Sequence, residues 1–170
     1  MRANRLFFGA LVVALALLAA SAAAGRARGA AGDGTLAVKD GRGGVVLNVK
    51  GSVIGWIDKG KLTIEDQDGD DGVPVVRGAD WAKVLSESTV TYGGKGIRFR
   101  IFGGRFSVRI QNATGISLSV VARGRVQLKG AGLEELGLSN GTYSVNGDDA
   151  LPIPDEPMWI TLRAPGRPRP

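Results

Sequence analysis

Eight cations stand in one stretch of the chain without a single acid: Lys95, Arg98, Arg100, Arg105, Arg109, Arg123, Arg125 and Lys129, all within residues 95–130. Residues 131–162 reverse the sign, with Glu134, Glu135, Asp148, Asp149, Asp155 and Glu156 and no base. Guanidinium forks bind phosphate, sulfate and carboxylate bidentately, so arginines spaced two apart on a strand are a means of holding an anion. The Gly103-Gly104 pair reads as a two-residue hairpin connection, because glycine accepts the positive φ such turns require. That hairpin sets Arg98 opposite Arg109 and leaves Arg98, Arg100, Phe102, Arg105, Ser107 and Arg109 on one face. Ser117, Ser119, Arg125, Gln127 and Lys129 extend the same outward set. Like charges placed directly opposite destabilise a sheet, and something must offset them. Either an anionic ligand does so, or the acidic segments 65–71 and 131–156 lie across the face as internal counter-charge. The candidate anion-binding residues are therefore Arg98, Arg100, Arg105, Arg109 and Arg125.

Two other groups could do chemistry. Asp66, Asp68 and Asp70 alternate as in the opening of an EF-hand calcium loop, but the sixth position is Asp71 where glycine is needed and the twelfth is Arg77 where a bidentate glutamate is needed. A solvated turn between strands is the better reading, with calcium as the weaker alternative. Trp56, Trp81, Trp159, Tyr92 and Tyr143 could stack on sugars, although single tryptophans in small β domains are more often core anchors. Catalysis is narrowed by what the sequence omits. It has no histidine and no cysteine, hence no Ser-His-Asp triad, no thiolate nucleophile and no zinc site of the usual ligands. Paired carboxylates could hydrolyse a glycoside, and Asp80, Glu87, Asp148, Asp149 and Glu156 are available, outside any recognisable signature. No phosphate-cradling glycine motif opens a helix, and no cofactor is expected.

The elements that must position these residues are strands. Apolar residues alternate with period two, interrupted by glycine turns, over 35–39, 45–50, 52–58, 61–66, 73–77, 88–92, 96–102, 105–111, 115–121, 124–129, 141–146 and 158–163. Phe99, Ile101, Phe106, Val108, Ile110, Ile116, Leu118, Val126 and Leu128 fall on the inward side. Only 79–86 and 131–138 could form a helical turn or two. The expected fold is all-β: one sandwich or barrel-like domain of about ten to twelve short strands. A faint echo between residues 44–51 and 96–103 leaves a small β-solenoid as the alternative.

The chain opens with Arg2 and Arg5, an apolar run from Leu6 to Ala20, and a small-residue exit before Arg26. This is the form of a secretory signal over residues 1–24, too short in its apolar part to span a bilayer. The expected organisation is that signal, a flexible segment at 25–33, the β domain at 34–163 and a Pro/Arg-rich tail at 164–170. No membrane-spanning segment is expected after cleavage. The expected location is outside the cytoplasm, with a bacterial source suggested by cysteine-free export and by arginine outnumbering lysine 15 to 7. The overall pI of about 10.1 owes much to arginines in the signal and the two tails. The body between them is nearly neutral, so nucleic acid is not an expected partner. A non-catalytic secreted or envelope protein follows, associating with an anionic polymer. A self-associating structural protein and a carboxylate-dependent hydrolase are the alternatives.

Overall fold

A computed structural model describes residues 32–69, 73–132 and 136–164. The expected signal at 1–24, most of the segment at 25–33 and the tail beyond residue 164 lie outside these residues. The described chain is all strand, turn and loop, with no α-helix. No helix among the described residues is long and apolar enough to cross a membrane.

Among the described residues seven strands form a single antiparallel sheet that does not close: β1 (Gly34–Asp66), β2 (Val75–Arg77), β3 (Trp81–Ser86), β4 (Thr89–Gly130), β5 (Thr142–Val145), β6 (Leu151–Pro152) and β7 (Met158–Leu162). Seven thus replace the ten to twelve short strands expected. The reason is that β1 and β4, 33 and 42 residues long, each absorb several of them. Residues 79–86, read as a possible helical turn, supply β3 instead.

A straight strand of 33 residues would run on the order of 110 Å at about 3.3 Å per residue, far beyond the width of a domain this size. Hence β1 bends, and its register with β4 shows how. Most residues from Val45 to Glu65 have β4 on both sides: Leu47 pairs with Val108 and Val126, and Val53 with Ile101 and Val120. Two lateral rows result. The first runs β3, β4 89–94, β1 61–66, β4 105–111, β1 44–50, β4 124–130, β7. The second runs β2, β4 96–102, β1 52–57, β4 115–122, β1 34–41, β5, β6. The chain passes from row to row at bends rich in glycine. At Gly103 and Gly104 φ is +81° and +77°, the left-handed region that glycine enters without steric cost. The β1–β4 ribbon is therefore wound on itself, returning to the same row about every 17 residues of β1, as Leu47 and Ile64 flanking Val108 show.

Winding turns one set of alternate side chains inward from both rows. Leu47, Val53, Ile57, Leu62, Ile97, Phe106, Val108, Ile110, Val126 and Leu128 belong to one continuous core and are almost wholly removed from water. Every residue expected on the inward side from the alternation is in that core.

Candidate functional site

All five candidate arginines point outward and are exposed, as the alternation requires, but they do not share a face. The Gly103-Gly104 pair makes a bend and not a hairpin. Beyond it β4 continues along β1, with Ile101 beside Val53 and Phe106 beside Val49. The local hairpin loses because β1 bends at Gly51 in the same place and offers partners to both arms. Arg98 consequently lies opposite Trp56 and Arg77, while Arg109 lies opposite Val46 and Thr63. The expected Arg98–Arg109 clash does not exist. Arg98 and Arg100 belong to the second row; Arg105, Arg109 and Arg125 belong to the first.

The first row has a like-charge alignment of its own. Lys50 of β1 is the register partner of Arg105 on one side and Arg123 on the other, so three cations stand abreast at strand spacings of about 4.8 Å. Among the described residues one carboxylate reaches this row, and it pairs with the Lys50 ammonium alone. Asp68 Oδ2 is 3.8 Å from Lys50 Nζ and accepts the Arg105 backbone N–H at 2.9 Å. Among the described residues no ion pair reaches Arg98, Arg100, Arg105, Arg109 or Arg125.

The aspartates proposed for calcium have other work. Asp66 Oδ1 accepts the backbone N–H groups of Asp68 at 3.3 Å and Gly69 at 3.2 Å, closing the turn after β1. Asp68 holds Lys50 and Arg105 as described, and Asp70 lies outside the described residues. No group of three potential metal ligands gathers among the described residues.

The second row carries a groove of about 640 Å³. Ile54 and Trp56, on the outward side of β1, face its opening and remain 53% and 40% exposed. Arg98 and Arg100 line one flank beside Arg77 of β2; Ser117 and Ser119 line the other. The Arg98 guanidinium lies 4.2 Å from the centroid of the Trp56 ring, a cation–π contact worth roughly 0.5–1 kcal/mol at an exposed site. Trp56 Nε1 donates to Asp58 Oδ1 at 2.8 Å. Arg100 sits 5.5 Å from the Phe102 ring beside the bend. The tryptophans are not core anchors: Trp81 and Trp159 are 45% and 59% exposed, while Tyr92 and Tyr143 are half-buried against the core. In residues 52–58 the set Ser52, Ile54, Trp56 and Asp58 alternates with Val53, Gly55 and Ile57, and its polar ends are the sequence signal that Trp56 faces water.

The carboxylates considered for hydrolysis are dispersed. Asp80 and Glu87 flank β3, Asp148 and Asp149 follow β5, and Glu156 precedes β7. Comparison of the chain with known protein families, with curated proteins and with solved structures finds no match.

Proposed function

We propose that the protein is a non-catalytic binding protein of the extracytoplasmic space that holds a linear anionic polymer along a cationic band. The band starts at Arg98 and Arg100 on the second row, rounds the bend at Gly103-Gly104, and continues through Arg105, Lys50, Arg123 and Arg125 on the first. The carrying observation is the alignment of Arg105, Lys50 and Arg123, which among the described residues meets one carboxylate, that of Asp68 at Lys50. Directly opposed like charges cost stability, and a polyanion laid across them supplies the missing counter-charge while releasing its own counterions.

Retention of the purified protein on immobilised inorganic polyphosphate, eluted with a salt gradient, tests this. Retention is expected to fall steeply with salt. The Lys50→Glu/Arg105→Glu/Arg123→Glu variant, verified as folded by circular dichroism, is expected to pass through. Equal retention of wild type and variant would move binding to the basic tails, which both retain, and would overturn the band.

A second reading, self-association, is favoured by exposed apolar residues at the two open ends of the sheet: Val73, Trp81, Val84 and Leu85 at one, Leu151 and Trp159 at the other.

A further inference from the structure

The groove around Trp56 has a chemistry different from that of the cationic band it adjoins. Its floor is apolar where a solvent-facing strand ordinarily presents polar groups. Ile54 and Trp56 project outward from the middle of the second row. Between them Gly55 points inward and carries no side chain, which admits the Phe99 ring and Leu118 directly beneath. Cations surround this floor: Arg98, Arg100 and Arg77 on one side and Lys39 on the other. Among the described residues no carboxylate and no amide side chain lines it, and the side-chain hydroxyls there are those of Ser117 and Ser119. Trp56 is already fixed, its N–H donated to Asp58 and its ring beneath Arg98.

These features select among anions. A sugar unit brings several hydroxyls that need acceptors, and the lining offers only two serine oxygens and backbone. An inorganic ion would leave the apolar floor wet. A molecule with one anionic head and an aliphatic chain satisfies both parts, burying its chain on Ile54 and Trp56 while the guanidinium forks take the head. We infer that this groove binds a free amphiphilic monoanion, a carboxylate, sulfonate or phosphate ester carrying an alkyl chain. The inference shares Arg98 and Arg100 with the polymer reading but does not depend on the first-row cations.

The probe is dodecanoate below its micellar concentration, with dodecanol and dodecylamine as neutral and cationic comparators. Titration by calorimetry is paired with Trp56 emission in a Trp81→Phe/Trp159→Phe background. Dodecanoate is expected to bind saturably at one site and to change Trp56 emission. Dodecanol and the Arg98→Gln/Arg100→Gln variant are each expected to bind about tenfold more weakly or worse, the effect of losing a charge-assisted hydrogen bond. Ile54→Asp, at a position already half in water, is expected to abolish dodecanoate binding and keep retention on polyphosphate. Lys50→Glu/Arg105→Glu/Arg123→Glu is expected to do the reverse, so the two readings fail separately. Absence of saturable binding, equal affinity for dodecanol, or unchanged affinity in the arginine variant would each overturn the inference.

Discussion

Asn140 shows how much a single side chain can hold in a fold without disulfides. It is the one buried polar side chain among the described residues, at 2% exposure. Its Nδ2 donates to the Ile153 carbonyl at 3.3 Å and to Asp155 Oδ1 at 2.7 Å, and its Oδ1 accepts the Ala131 N–H at 3.0 Å. Its backbone carbonyl accepts the Arg42 N–H at 2.9 Å. One residue thus ties β1, the end of β4 and the approach to β7 together. Asn140→Ala is expected to cost about 2–3 kcal/mol, because the buried Ile153 carbonyl and the part-buried Ala131 N–H lose their partner. Calorimetry should show a melting temperature lower by roughly 6–12 °C. Asn140→Asp preserves the shape but sets two carboxylates face to face across the 2.7 Å contact, so at neutral pH it should be no more stable than the alanine variant. A melting point within a degree of wild type for both would show that the three hydrogen bonds are replaceable by water.

At the scale of the element, the bends carry the fold. Gly124 has φ of +145°, and a Cβ there would overlap the Asn48 carbonyl oxygen and the Val49 backbone. Gly124→Val is expected to cost about 2–4 kcal/mol through overpacking and backbone strain together. Gly132→Ala, at φ of +75° in open space, should cost only the roughly 1–2 kcal/mol of a left-handed alanine. Urea midpoints measure the difference, and equal losses would mean that strain alone, without the close approach, sets the bend. The same bends explain what was legible in the sequence. Alternation through 96–102 and 105–111 marked Phe99, Ile101, Phe106, Val108 and Ile110 as core because burial depends only on the period of two. Pairing depends on which partner runs alongside, and Gly103-Gly104 carries the same local signal for a hairpin as for a corner. Only β1, some 50 residues away, decides between them. The groove was hidden for the same reason: Arg98 meets Trp56 and Arg77 through long-range register, while sequence adjacency pointed to Arg109.

Across the whole molecule, a wound sheet that does not close must end somewhere, and an end exposes both unpaired backbone and the edge of the core. β3 is exposed along its length. Val84, on the inward side of the first row opposite Val90, remains 71% exposed. Among the described residues no strand pairs with the outer edge of β3. The strand directions decide what a second copy can do. Successive antiparallel pairings make β3 and β7 run the same way, so stacking copies end to end would require parallel pairing. A two-fold axis through β3 instead gives an antiparallel pair, the stronger ladder, and closes the assembly at two. Lys83 and the register irregularity between Val84 and Ser86 blunt this edge, so the dimer should be weak. Sedimentation equilibrium is expected to show a mass rising with concentration and levelling at the dimer. Val84→Lys, at so exposed a site, should hold the protein monomeric with an unchanged melting point, whereas Trp159→Lys on β7 should leave dimerisation intact. A monomer at every concentration would mean that Lys83 and the irregularity suffice to keep the edge unpaired. Growth past the dimer would transfer the contact to β7 and make the protein a filament former.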